Sequence, residues 1–203
     1  MLEVKDATIK AGDRLLATRL SFMAEDGRLT CITGPEGSGK TALLRTLLGF
    51  LPVSEGYVSV DGELLTVSSA HAFRRMMVYL PQQMARLRHQ LCPPEAPCHE
   101  AGERTFWASE LSDVKPLVAA PASPLSPEEI VLLAEQTFER AADKPIVIAD
   151  EPAALLPPLL AERMLSLLRR QVDAGKTVLI ASRRPLLVGE ADKIVELKRD
   201  IGI

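Results

Sequence analysis

The stretch Gly34-Pro35-Glu36-Gly37-Ser38-Gly39-Lys40-Thr41 constrains this chain more than any other. It satisfies G-x-x-x-x-G-K-[ST] at every fixed position. Its flanks agree: the apolar run Leu29 to Thr33 leads into the first glycine, and Leu43, Leu44, Leu47 and Leu48 follow at helical spacing. The spacing has a chemical reason. Glycines let the backbone wrap closely around an anion with its N–H groups pointing inward. The helix that follows presents its positive N-terminus to phosphate. Lys40 adds a point charge for the β- and γ-phosphates, and the Thr41 hydroxyl suits Mg²⁺. The expected contact set is Gly34, Glu36, Gly37, Ser38, Gly39, Lys40 and Thr41. This motif establishes a nucleoside triphosphate site without choosing among kinases, GTPases and ATPases.

A second feature completes such a site. Ile146-Val147-Ile148-Ala149 is an apolar strand ending in Asp150-Glu151-Pro152. Asp150 is placed to hold Mg²⁺ opposite Thr41. Glu151 is placed to orient or deprotonate an attacking water. Alone, the pair reads equally well as a strand ending in surface carboxylates; together with the loop at 34–41 it reads as chemistry.

The rest of the chain supplies a frame. Leu2 to Ile9 and Leu15 to Phe22 read as strands joined by a turn at Ala11-Gly12-Asp13, and Tyr57 to Gly62 as one arm of a hairpin. Met77 to Leu80, Ile146 to Ala149, Thr177 to Ala181 and Ile194 to Leu197 read as further strands. Ser126 to Ala142 and Leu159 to Val172 read as helices. Strands alternating with helices indicate an α/β fold with a largely parallel sheet. Residues 83–125 differ: they carry six of the 15 prolines, the sole tryptophan and weak periodicity, and read as an irregular or short-helical insertion. The 203 residues suffice for one sizeable core, so a single domain spanning 1–203 is expected.

Charge and cysteine usage narrow the class. A net charge of −3 gives no chain-wide nucleic-acid footprint. No apolar run is long enough for a membrane span, and the chain opens in a strand-like pattern with no basic-then-apolar leader, so a cytoplasmic location is expected. Three cysteines in such a chain read as reduced thiols, with Cys31 as core packing.

The order of phosphate loop, glutamine, Asp-Glu-Pro and final apolar strand resembles the ABC (ATP-binding cassette) ATPases over nearly the whole chain. Leu2-Glu3-Val4-Lys5-Asp6, Leu20-Ser21-Phe22 and Asp61-Gly62 look like that family's first subdomain. The resemblance implies a P-loop NTPase core, an N-terminal antiparallel β subdomain and a small, atypical helical insertion. It implies ATP and Mg²⁺ as ligands, a dimer with an identical or different cassette, and a membrane permease as partner, docked through residues 83–115. It also places Gln82, in Val78-Tyr79-Leu80-Pro81-Gln82, as the glutamine that contacts Mg²⁺ or the attacking water. On this reading Glu151, Gln82 and Arg183 are the catalytic set, and Thr41, Gln82 and Asp150 the metal set.

Four departures from the family pattern point the same way. The signature Leu-Ser-Gly-Gly-Gln becomes Leu125-Ser126-Pro127-Glu128-Glu129. Pro127 removes a donor, and the two glutamates bring negative charge to where a partner's γ-phosphate docks. Two unit charges 5 Å apart interact by about 3 kcal/mol at an effective dielectric near 20. That outweighs a helix-terminus attraction of ~0.3–1 kcal/mol. The same residues make a good helix start: Ser126 as N-cap, Pro127 at N1, Glu129 closing a capping box. The family's switch histidine becomes Arg183, which keeps positive charge but cannot exchange protons near neutrality. The aspartate expected after Asp-Glu-Pro falls on Pro157. The adenine-stacking aromatic falls on Ala11, a loss of about 1–3 kcal/mol by analogy with base–aromatic stacking, which Ile9 or another apolar side chain would offset in part. The expectation is a chain that binds ATP but hydrolyses it slowly alone, or pairs with an intact cassette.

Some features stay open. His89, Cys92, Cys98 and His99 have zinc-type donors at H-x2-C-x5-C-H spacing, but the adjacent Cys98-His99 suits one tetrahedral site poorly, and a loop of surface thiols and histidines explains them better. Arg74-Arg75, Arg86 to His89 and Arg169-Arg170 read as solvated faces or helix C-terminal charges. A non-catalytic nucleotide-binding regulator or scaffold of the same fold is the alternative function. A nucleic-acid- or ribosome-acting cassette would carry paired domains or basic extensions, and none is visible.

Overall fold

The structure is a computed structural model that describes residues 1–11, 14–82, 84 and 124–198. In chain order its elements are β1 (Leu2–Ala11), β2 (Arg14–Ala24), β3 (Arg28–Thr33), α1 (Lys40–Leu47), β4 (Glu55–Val60), β5 (Glu63–Leu64), α2 (Ala70–Arg75), β6 (Met77–Leu80), α3 (Pro127–Arg140), β7 (Ile146–Asp150), α4 (Pro158–Asp173), β8 (Thr177–Ala181), α5 (Pro185–Gly189) and β9 (Lys193–Glu196). They form two sheets. One is antiparallel, in the order β2-β1-β4-β5; the other is parallel, in the order β6-β7-β8-β3-β9.

The continuous apolar runs seen in the sequence are strands buried on both faces, as a covered parallel sheet requires. Their side chains alternate between two cores. Met77, Tyr79, Ile146, Ile148 and Leu179 face a core shared with α1 and the antiparallel sheet. Val78, Leu80, Val147, Ala149, Val178 and Ile180 face a second core built from α3 and α4. Leu43, Leu44 and Leu47 of α1 are fully buried in the first core, each worth roughly 1.5–3 kcal/mol of transfer. The edge strand β9 is covered less, and Ile194 stays 52% exposed.

Element boundaries agree with the sequence reading to within a few residues, and two short helices, α2 and α5, were missed. Six and five residues make fewer than two turns, too few for an amphipathic pattern to repeat. Of the arginine pairs, Arg74 and Arg75 lie in the last turn of α2 and Arg170 in that of α4, as helix C-terminal charges, and Arg74, Arg169 and Arg170 also have partners. Arg74 donates to the Leu48 carbonyl at 3.1 Å and lies over the Phe50 ring, finishing α1. Arg169 pairs with Asp192 at 3.1 Å and Arg170 with Glu135 at 3.1 Å. The insertion at 83–125 falls almost entirely outside the described residues, as do His89, Cys92, Cys98 and His99.

Candidate nucleotide site

Parallel register brings four strand ends to one edge. Leu80 of β6 pairs with Ala149 of β7, Asp150 of β7 with Ala181 of β8, and Ile32 of β3 also with Ala181. The residues that follow these ends are Gln82, Glu151, Arg183 and the 34–41 loop. They meet because the strands stop at one level, where open α/β sheets place ligands. Between them lies an open cleft of about 510 Å³, lined by Leu16, Glu36, Gly37, Gly39, Lys40, Thr41, Ala42, Arg45, Leu51, Gln82, Glu151 and Arg183.

The loop has the shape its glycines allow. Gly34 (φ +144), Gly37 (φ +75) and Gly39 (φ +93) all have positive φ. A Cβ on Gly34 would lie 2.4 Å from the Leu197 carbonyl oxygen, and one on Gly39 2.9 Å from the Leu16 Cβ. Glycine is therefore required at both by crowding as well as by backbone conformation. Lys40 curls back into the loop and donates to the carbonyls of Gly34 at 2.9 Å and Pro35 at 3.0 Å. Burial holds its ammonium below the usual lysine range, with the Glu151 carboxylate acting in the opposite sense. The Ser38 hydroxyl is buried without a hydrogen-bond partner.

Asp150 is wholly buried, and neither carboxylate oxygen has a hydrogen-bond partner. Burial pushes its carboxyl up to about 6, while the Thr41 hydroxyl, near but outside hydrogen-bonding geometry, pulls it down in part. Such a group is costly unless something binds it. Glu151 has φ +47, uncommon for a residue with a long side chain. Its carboxylate lies 3.4 Å from Arg183 Nε and accepts the Arg183 backbone N–H at 3.3 Å. Arg183 also reaches Glu36 at 3.4 Å, closing a chain of charge across the cleft mouth. Gln82 is exposed and lines the cleft from the β6 side.

The altered signature segment is a helix start. Ser126 Oγ accepts the Glu129 N–H at 3.2 Å, and Glu129 Oε2 accepts the Ser126 N–H at 2.7 Å, with Pro127 opening α3. Cys31 is fully buried, in keeping with core packing. Of the two alternatives for the base, Ile9 drops out, because it is 1% exposed within the first core and cannot stack on a base, which leaves another apolar side chain. The apolar wall of the cleft comes from Leu16 and Leu51 instead, which no motif marked.

A glycine-lined loop between β3 and α1, facing a buried acidic strand end, defines a P-loop nucleotide triphosphatase core. The ABC transporter family matches residues 17–154. The phosphonates import ATP-binding protein PhnC of Hyphomonas neptunium is 27% identical over 95% of this chain and 81% of its own length. The hemin import ATP-binding protein HmuV of Methylobacillus flagellatus is 26% identical over 98% of this chain and 80% of its own length. Among solved structures, a dimeric ATP-binding cassette in a post-hydrolysis state, bound to ADP and Pi, shares the fold with a TM-score of 0.68 and 23% identity, covering 98% of this chain and 97% of that one. The chain belongs to the ABC transporter family, as an ATP-binding subunit.

Proposed function

We propose that the chain binds Mg-ATP in the cleft at 34–41 and couples its binding and hydrolysis to a membrane permease, working as one half of a cassette pair. The observation that carries the ligand assignment is Asp150. A fully buried carboxylate with two unpartnered oxygens, close to the Thr41 hydroxyl, fits a hard divalent cation with oxygen ligands. Thr41, Asp150 and Gln82 would hold Mg²⁺, which supplies charge neutralisation on the phosphate oxygens when bound. Lys40 exchanges its two loop carbonyls for phosphate oxygens, and the backbone N–H groups of the loop, Ser38's released from the Pro35 carbonyl, hold the rest. Glu36, at the mouth, sets the position of Arg183. Glu151 accepts a hydrogen bond from the attacking water and orients it, and Gln82 completes that water's position.

Three observations support slow hydrolysis by the chain alone. Arg183 is ion-paired with Glu151 and cannot relay a proton. Ser126 is committed to capping α3. Pro157 stands where the family places a partner-facing aspartate. No helix among the described residues is long and apolar enough to cross a membrane. We place the chain at the inner membrane face, attached through the permease; two of its relatives are named as import ATP-binding proteins.

Titration calorimetry with millimolar ATP and Mg²⁺ tests the site: uptake by the unaltered chain and much weaker uptake by Lys40→Ala is expected. Absence of uptake by the folded, unaltered chain would refute it. Co-purification of an integral membrane protein with the tagged chain tests the coupling.

A further inference from the structure

The turn that follows β7 is poorly supplied with donors of its own. It starts at Glu151, with φ +47 in the left-handed region. Ala154 N–H donates to the Glu151 carbonyl at 3.0 Å, and Leu156 N–H to the Ala153 carbonyl at 3.2 Å. Pro152, Pro157 and Pro158 have no N–H to give. A donor for the Leu156 carbonyl, and a second one for that of Ala153, come from beyond β8. Arg184 Nη1 donates to the carbonyl oxygens of both Ala153 and Leu156, the second at 2.7 Å. Ala153 and Leu156 are themselves buried, at 0% and 5% exposure, so water is a poor substitute for the guanidinium.

The clasp is anchored in the parallel sheet. Arg184 N–H donates to Ser182 Oγ at 3.1 Å, and Ser182 N–H donates to the Ile32 carbonyl at 3.0 Å. Arg184 has an extended backbone, φ −75 and ψ 122, so it and Arg183 point to different sides. Arg183 faces Glu151 and the cleft; Arg184 grips the turn behind Glu151 and does not line the cleft.

We propose that Arg184 is a positioning residue for ATP hydrolysis: its clasp on the Ala153 and Leu156 carbonyls holds the turn that keeps Glu151 left-handed, with its carboxylate at the cleft beside Arg183. This rests on the reading of Glu151 as the group that orients the attacking water. Loss of the clasp slows the chemical step and leaves nucleotide affinity in place, because Arg184 touches no part of the cleft.

The test uses the full chain with Arg184→Met, which keeps the apolar stem and removes the donors, and Arg184→Lys, which supplies a single ammonium. Three quantities are read: Mg-ATP affinity by calorimetry, hydrolysis in a single turnover with the chain in excess, and hydrogen exchange at the amides of residues 154–156. The expected result for Arg184→Met is affinity within twofold of the unaltered chain, hydrolysis at least tenfold slower and exchange at least tenfold faster. Arg184→Lys is expected to fall between on both rates. Hydrolysis and exchange both within twofold in Arg184→Met overturn the proposal, as does slowed hydrolysis with unchanged exchange. Should Arg184→Met fail to fold, Arg184→Lys decides by the same pairing of rate with exchange. Failure of the unaltered chain to bind Mg-ATP removes the proposed function and this inference together; binding with no effect of Arg184 removes this inference alone.

Discussion

Arg183 holds both oxygens of the Glu151 carboxylate: its Nε lies 3.4 Å from one, and its backbone N–H donates to the other at 3.3 Å. The arginine is half exposed and the glutamate nearly buried, with side-chain exposures of 49% and 7%. On the proposed reading, the relationship ties the carboxylate that orients water to a second cation, besides Lys40, lining the cleft.

Arg183→Ala should therefore separate stability from function. A pair with one exposed partner contributes about 0–1 kcal/mol, so chemical denaturation should show little change. Hydrolysis or Mg-ATP affinity should fall by roughly tenfold, which corresponds to about 1.4 kcal/mol of lost interaction. Denaturation and single-turnover hydrolysis on one preparation check both halves; unchanged affinity and rate would remove Arg183 from the site.

Lys40→Ala should weaken Mg-ATP binding about a hundredfold or more, since a charge-assisted contact to phosphate is lost from a water-poor loop. The fold should persist, because the Lys40 ammonium is bound only to loop carbonyls of Gly34 and Pro35. Calorimetry and circular dichroism read the two outcomes, and a variant that binds as before contradicts the cradle.

Asp150 makes the nucleotide-free chain pH-sensitive in a defined direction. Its carboxyl is raised from 3.8 to about 6 by burial, so the folded state holds the proton more tightly than the unfolded one. Below pH 3.8 the group contributes nothing. As pH rises from 3.8 to about 6 stability is lost, and above that a constant penalty of roughly 3 kcal/mol remains. Asp150→Asn removes this dependence. Urea denaturation from pH 4 to 8, without Mg²⁺, should show the unaltered chain losing stability relative to the variant as pH rises; parallel curves would contradict it.

Ser126→Ala distinguishes a helix cap from a phosphate reader. Loss of the cap should destabilise the chain by about 0.5–2 kcal/mol. Mg-ATP affinity of the isolated chain should not move, because Ser126 Oγ is engaged with Glu129 N–H. A stability loss with unchanged calorimetry fits the cap; a drop in affinity at constant stability would reverse the assignment.

The phosphate loop, the buried strands and the capping box were legible because each is local. The 34–41 loop needs glycines at fixed offsets, a strand buried on both faces needs an unbroken apolar run, and a cap needs Ser126 three residues before Glu129. Other features had no such signature. Leu16 lies 23 positions before Gly39, and only folding shows that it forbids a side chain there. Ile9 looked available for a base because its alternation gives a buried face but not what covers it. Nothing in the sequence marked Arg184; its grip on the turn after β7 shows only once β8 is set beside β7.

By itself, then, the sequence determined an α/β chain with a glycine-rich loop opening a helix and an acidic strand end, because short-range backbone geometry and side-chain periodicity fix those within a few residues. Only the tertiary structure decided who meets whom at the sheet edge. The strand order puts Gln82, Glu151, Arg183 and the 34–41 loop at one level, leaves Asp150 buried without a partner, and turns Arg184 onto the carbonyls of Ala153 and Leu156. Those contacts join residues up to about 150 positions apart in the chain, as Arg183 and Glu36 are, and depend on parallel register that no local pattern encodes.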